Sequence, residues 1–210
     1  SELDKCLVTF NHTTVKTNIS ESIDNRFQKS AKLTPKKTAI HFQDKKISYE
    51  TLKKKIKLFT TFLISEGVTK DMHVTLLLDR SIEMIIAIFS LLNIGAAYIP
   101  LDPTYPKKRI SYIIKDTSSN FTITKTHLTH LINKKQSKLI DINQEWKQTG
   151  KPSVSKKYIK NKYPPTGLAY IIYTSGSSGN PKGVMINTSS LLNFLDAMTT
   201  QLNLTKQDTW

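Results

Sequence analysis

The stretch HVTLLLDRSIEMIIAIFSLLNIGAAYIPL, His73–Leu101, reads as strand, helix and strand in succession. HVTLLL (His73–Leu78) is so rich in aliphatics that it predicts a strand buried on both faces, as in a parallel sheet covered from above and below. From about Ser81 to Leu92 the residues are apolar on most sides, which predicts a helix sandwiched between other layers. AAYIPL (Ala96–Leu101) returns to strand. Within this stretch, Met84–Leu101 is about long enough to cross a membrane, since a span needs roughly 18–20 apolar residues. Asn93 and Gly95 in its middle, Pro100 near its end and the lack of a second candidate favour a buried helix, a turn and a buried strand instead.

The same alternation extends outward. Upstream, Ile19, Ile23, Phe27 and Ala31 recur every fourth residue and predict a helix stripe. Pro35 ends it, because the residue before a proline is pushed out of the helical region. TAIHF (Thr38–Phe42) and KIS (Lys46–Ser48) flank QDKK and predict a hairpin. Ser48 is placed to N-cap a second helix, with Leu52, Ile56, Phe59 and Leu63 on one face. Gly67 falls where a left-handed C-terminal cap belongs.

Downstream, a helix is expected to start at Pro106, where the missing N–H is harmless. FTITK (Phe121–Lys125) and KLIDI (Lys138–Ile142) read as strands, with a short helix in HLTHLIN between them. Residues 143–166 are polar, carry several lysines and read as a loop. LAYIIY (Leu168–Tyr173) and VMIN (Val184–Asn187) read as strands. A last helix is expected to be capped by Thr188 or Ser189 and faced by Leu192, Leu195, Met198 and Leu202. The fold class is therefore α/β, a mostly parallel sheet with helices on both faces. Residues 1–18 are polar and irregular and read as a linker-like lead-in; 19–210 form the domain.

Bulk composition narrows the function. With 38% apolar residues, the 210-residue chain has enough for a core. A single cysteine, Cys6, excludes an internal disulfide framework, and a reducing cytoplasm is the expected compartment. The opening SELDKCLVTFNHTTVK has acidic residues and no long apolar run, so it does not read as a signal sequence. The net charge is +15, yet only Arg26, Arg80 and Arg109 are arginines, and the lysines are scattered. Bidentate phosphate and base contacts favour arginine, and single-strand binders interleave aromatics. A solvated lysine surface is the expectation, with neither nucleic acid nor membrane as a partner.

Chemistry concentrates in YTSGSSGNPKG, Tyr173–Gly183, which holds three glycines, three serines, a threonine and a lysine in eleven residues. It leaves an apolar strand, so its start is firmly placed. Gly176 and Gly179 let the backbone approach a ligand, and successive N–H groups in such turns converge on an anion. Thr174, Ser175, Ser177 and Ser178 add hydroxyls for phosphate oxygens or magnesium, and Lys182 adds positive charge. Each hydrogen bond to a charged group is worth about 1.5–3 kcal/mol, so three or four would hold a triphosphate. A P-loop is excluded, because counting from Gly176 puts Pro181 where its second glycine belongs. A Rossmann fingerprint also fails, since the first glycine spacing is wrong and the loop runs into a strand. Composition leaves two readings open: a phosphate-binding strand–loop–strand, or a plain surface turn.

LAYIIYTSGSSGNPKG closely resembles the signature loop of the adenylate-forming enzymes, the acyl- and aminoacyl-adenylating ligases. ISYETL (Ile47–Leu52) and LNIGAAYIPLDPTYPKKRI (Leu92–Ile110) resemble the first and second core motifs of the adenylation domains of nonribosomal peptide synthetases. VTFNHT (Val8–Thr13) is similar to the lead-in before such domains. Asn93 and Ile94 depart from the lysine and alanine usual before Gly95, and Ser178 replaces a threonine while keeping its hydroxyl.

The resemblance implies the N-terminal portion of the ligase large domain, truncated before its second half. It also implies a two-step reaction. An amino-acid carboxylate attacks the α-phosphate of ATP, and a carrier protein's phosphopantetheine thiol then takes the acyl group. ATP and Mg2+ are the implied cofactors. Amino acid, carrier protein and the remainder of a multidomain synthetase are the implied partners. Thr174, Ser175, Gly176, Ser177, Ser178, Gly179 and Lys182 would bind the ATP phosphates. No catalytic or metal-ligating residue is assigned, because the family's pocket aspartate, adenine and ribose motifs and C-terminal lysine lie downstream. Alternatives are an inactive truncated product or interaction module, and an acyl-CoA synthetase-like ligase. His73, His127 and His130 lack cysteine or carboxylate neighbours at ligand spacing. Asp102 is expected to cap a turn and Tyr98 to pack in the core, and Arg109 is given no chemistry.

Overall fold

The computed structural model describes residues 1–12, 21–143, 167–175, 180–205 and 207–208. Expectations for Ile19 and for residues 144–166 fall outside them. The chain opens with short helical turns over Glu2–Asp4 and Lys5–Thr9, where an irregular lead-in was expected. A reciprocal cap starts them: the Asp4 N–H donates to Ser1 Oγ while the Asp4 carboxylate accepts from the Ser1 amino group. All their side chains are exposed.

Helix α1 (Ile23–Leu33) starts at Ser22, whose side chain accepts from the Asn25 N–H at 3.1 Å, and it buries Phe27 and Ala31. Strands β1 (Thr38–Phe42) and β2 (Lys45–Ser48) form the expected antiparallel hairpin. Its turn is tighter than QDKK suggested, because Lys45 already pairs with Phe42. Helix α2 (Tyr49–Ser65) is capped by Ser48 as expected, with the Thr51 N–H donating to Ser48 Oγ at 3.2 Å. Leu52, Ile56, Phe59 and Leu63 are all buried. Gly67 follows with φ +98°. Its N–H bonds the Ile64 carbonyl while the Val68 N–H reaches Leu63, so two orphan carbonyls of the helix end are satisfied.

Strand β3 (His73–Leu77), helix α3 (Ile82–Ile94), strand β4 (Ala97–Leu101), helix α4 (Lys107–Asp116) and strand β5 (Phe121–Thr124) then alternate. Pro106 sits one position earlier than expected, at the N-cap of α4, where its carbonyl accepts from the Arg109 and Ile110 N–H groups. HLTHLIN forms a 3-10 helix over Thr126–Leu131. Strands β6 (Lys138–Asp141), β7 (Leu168–Thr174) and β8 (Lys182–Asn187) follow, then helix α5 (Thr188–Gln201). Neither Thr188 nor Ser189 caps α5: Asn187 holds the N-cap position, and the Thr188 hydroxyl instead donates to the Gly167 carbonyl. Of the expected apolar face of α5, Leu192 alone is buried, while Leu195 and Leu202 are exposed.

Six strands form one sheet in the order β6-β5-β3-β4-β7-β8. The pairs from β6 through β7 are parallel, and β8 runs antiparallel at the edge. Strand β3 lies centrally, and Val74 through Leu77 are buried, as the aliphatic run predicts. Alternation sends Val74 and Leu76 to a core shared with α1, α2 and α3. Leu77, Ile99, Leu101 and Ile171 go to a second core with α4 and the 3-10 helix. Helices therefore cover both faces, and no helix among the described residues is long and apolar enough to cross a membrane.

Candidate functional site

Parallel strands bring their carboxyl ends to one edge of the sheet. In this sheet β3 continues into α3 on one face, whereas β4 continues into α4 on the other. Where neighbouring connections part in this way, a crevice opens at the carboxyl ends, and α/β proteins bind ligands there. Arg80 and Asp102 follow β3 and β4 into this edge. The exposed Asp102 carboxylate accepts the Thr104 N–H at 2.8 Å and the Thr104 hydroxyl at 2.7 Å. These two bonds, and more weakly the nearby Arg80, hold it below the ordinary carboxylate range. The expected turn-capping role is what the geometry shows.

Register extends the edge to β7. Tyr98 pairs with Tyr170, so Asp102 and Thr174 each lie four residues further along neighbouring strands. Thr174 then pairs with Lys182 across the antiparallel β7–β8 ladder. Residues directly opposite in such a ladder point to the same face. The loop between them thus opens at the carboxyl end of the sheet, with a hydroxyl on one side and an ammonium on the other. Thr174, Ser175 and Lys182 are exposed there. Gly176, Ser177, Ser178 and Gly179 lie outside the described residues. The strand–loop–strand setting expected from the sequence is present.

Beneath the loop mouth, Tyr173 is buried and its hydroxyl donates to the Asp116 carboxylate at the end of α4. Its register partner is Gly183. A Cβ at Gly183 would lie 3.0 Å from Tyr173 Cζ and 3.0 Å from Ile171 Cγ2, so the ring occupies the space a side chain would need. Nothing in the local sequence marks Asp116 as a partner. The signal available was a buried tyrosine, whose hydroxyl must find a partner, but nothing local said which.

The remaining candidates have ordinary settings. Tyr98 packs against Tyr170 with ring centroids 5.4 Å apart, and burial, with a smaller push from Tyr170, raises its phenol to about 12. Arg109 stacks over the Tyr105 ring at 4.2 Å. His73 Nδ1 lies 2.9 Å from the Thr117 carbonyl oxygen and His130 Nδ1 2.8 Å from that of His127. His127 Nε2 lies 3.0 Å from the Asp79 carboxylate, a contact made across 48 residues that spacing along the chain does not reveal. Among the described residues no group of three or more His, Cys, Asp or Glu is arranged to hold a metal ion.

The fold is an α/β domain with the β7–β8 hairpin at the carboxyl end of its parallel strands. The profile of the "AMP-binding enzyme" family matches residues 27–210, and the chain belongs to that family. Bacitracin synthase 2 of Bacillus licheniformis is 34% identical over 208 residues, which cover 99% of this chain and 8% of that protein. Tyrocidine synthase 2 of Brevibacillus parabrevis is 33% identical over 208 residues, 99% of this chain and 6% of that protein. The chain thus spans less than a tenth of these relatives' length. Among solved structures, the nonribosomal peptide synthetase FmoA3 in its AMPPNP-bound form matches at 20% identity and TM-score 0.83, over 99% of this chain and 22% of that one. The AMP complex of O-succinylbenzoate coenzyme A synthetase (MenE) from Bacillus subtilis matches at 20% identity and TM-score 0.70, over 92% and 48%. At these identities the structures bear out the fold, and the family membership bears out the resemblance drawn from the loop and the two upstream motifs.

Proposed function

We propose that this chain supplies the phosphate-binding wall of an amino-acid-adenylating ligase. In the first step a substrate carboxylate oxygen attacks the α-phosphorus of ATP. The bond to the β-phosphate bridging oxygen breaks, and aminoacyl-adenylate and pyrophosphate result. In the second step a carrier-protein thiol on a phosphopantetheine arm takes the acyl group and releases AMP. The observation that carries this reading is the pairing of Thr174 with Lys182, both exposed, at the carboxyl end of the sheet. Lys182 would neutralise charge on the β- and γ-phosphates. The hydroxyls of Thr174, Ser175, Ser177 and Ser178, with the backbone N–H groups at Gly176 and Gly179, would hold their oxygens. Preorganised donors of this kind act where charge develops and need no covalent chemistry from the protein.

Hydroxyls and an ammonium, without a cluster of carboxylates, suit a magnesium ion that arrives with the nucleotide. Its chemistry would be to draw charge from the phosphate oxygens. The matched synthases are many times longer than this chain, and the matched FmoA3 is a nonribosomal peptide synthetase, which supports an amino acid as substrate and further domains as partners. Residues 19–210 would then be part of one adenylation domain, preceded by a lead-in over 1–18.

Amino-acid-dependent pyrophosphate exchange tests the reading, in a synthetase that contains this chain. Lys182→Ala should lower the exchange rate by about tenfold or more, the loss of one charge-assisted contact. Exchange driven by fatty or aryl acids alone would place the chain among acyl-CoA synthetase-like ligases instead. A folded chain with no affinity for ATP would favour an interaction module.

A further inference from the structure

Below the loop mouth, Asp116 and Gly183, from separate elements, both meet the side chain of Tyr173. Tyr173 is the next-to-last residue of β7, Gly183 is the second residue of β8, and Asp116 closes α4. The Tyr173 hydroxyl donates to Asp116, so the ring is pinned at its far end. Its Cζ and Cε2 lie 3.0 and 3.2 Å from where a Gly183 Cβ would stand, so the ring packs close against Gly183. The next rung of the ladder is Thr174 and Lys182.

We propose that Asp116, Tyr173 and Gly183 form a latch that positions Lys182 relative to Thr174 across the loop mouth, an inference that rests on the phosphate-binding reading of that loop. Strand β8 is the sheet edge, with a partner on one side, and its residues through Met185 are exposed. Lys182 through Met185 bury no face, and register is weakly specified where a strand has no buried face. The ring, clamped by Asp116, supplies a hold one residue below the lysine. A side chain at 183 would push on the ring, which would have to give by a few tenths of an ångström. Burial, and then Asp116, raise the Tyr173 phenol above its ordinary value, so it remains a donor at working pH. These three are positioning residues, since they reach the phosphates through Lys182.

The test is a titration of the full 210-residue chain with inorganic tripolyphosphate, followed by the amide resonances of Thr174 and Lys182 well below the unfolding midpoint. Tyr173→Phe and Asp116→Ala should each weaken binding roughly three- to tenfold, the worth of one hydrogen bond. The double variant should be no weaker than either single one, because both remove the same bond. Asp116→Asn should stay within about twofold of the parent, since its amide oxygen still accepts from the phenol. A purely structural role would lower the unfolding midpoint of these variants and leave both affinity and the Lys182 resonance in place. If Lys182→Ala weakens binding while Tyr173→Phe does not, the latch is wrong and the phosphate reading stands. If the chain does not bind tripolyphosphate, or Lys182→Ala leaves binding unchanged, the phosphate reading fails and the latch falls with it.

Discussion

Asp24 shows how one burial decision shapes this molecule. It lies on α1 among Gln28, Lys53, Thr60 and Asn93, at a small cavity between α1, α2 and α3. Gln28 Nε2 donates to it at 3.2 Å. With its amide turned to satisfy both groups, Asn93 donates to both carboxylate oxygens at 3.2 Å. Burial outweighs these bonds and the charge of Lys53, so the carboxyl rises above its ordinary 3.8. A raised carboxyl binds its proton more readily folded than unfolded. Stability is therefore fullest below 3.8 and falls as pH rises from there through the folded value. Asp24→Asn should raise the urea midpoint at pH 7 and lose that advantage in acid. Asn93→Lys should do the same at pH 7 by a different route, since it restores the cation usual at this place in the resembled motif and brings a charge to the carboxylate. Urea titrations of both variants at pH 3 and pH 7 check this.

Helix ends are the points where local sequence acted most directly on the elements. Ser48 caps α2 and Gly67 closes it, and both were legible because caps are chosen by residues within a few positions of the end. Gly67→Ala separates two causes of damage. A Cβ there would meet Phe121 Cζ at 3.8 Å, an ordinary contact, so packing survives. What remains is the left-handed backbone at φ +98°, which should lower stability by about 1–2 kcal/mol in a urea titration. Helix α5 departs from its sequence pattern. Its apolar stripe was visible, but whether a stripe is covered depends on what lies opposite, and only Leu192 meets the core. Phe194, Leu195 and Leu202 stay exposed, as do Val184 and Met185 of the edge strand. HLTHLIN predicts a short helix, and over so few residues hydrophobic period does not separate an α-helix from the 3-10 helix found at Thr126–Leu131.

Across the whole molecule, a partly buried ion pair ties the last helix to the first. Arg26 on α1 grips both carboxylate oxygens of Asp196 on α5. The hydrogen bonds from Arg26, and then its charge, hold Asp196 below its ordinary 3.8. A lowered carboxyl contributes above its unfolded value, and that contribution is lost as pH falls from 3.8 through the folded value. The sign is opposite to that of Asp24. Asp196→Asn should therefore lower stability at pH 7 and flatten the acid limb of the stability curve, with the gap between variant and parent closing below that range. Thermal unfolding across pH 2–7 reads it; an unchanged acid limb would show that the pair does not hold α5 in place.

The sequence by itself determined what neighbouring residues can dictate. Two-sided aliphatic runs gave the buried strands, the alternation of strand and helix gave a covered parallel sheet, and Ser48 and Gly67 bounded a helix. The glycine-and-hydroxyl loop, with its spacing, separated this chain from two other nucleotide folds. Only the tertiary structure decided the strand order β6-β5-β3-β4-β7-β8, the antiparallel edge, and which distant groups meet. Asp116 and Tyr173 stand 57 residues apart, and Arg26 and Asp196 stand 170 apart. Periodicity says which face a side chain takes. Which partner it finds there is set by how the sheet closes and by the need of every buried polar group to be satisfied.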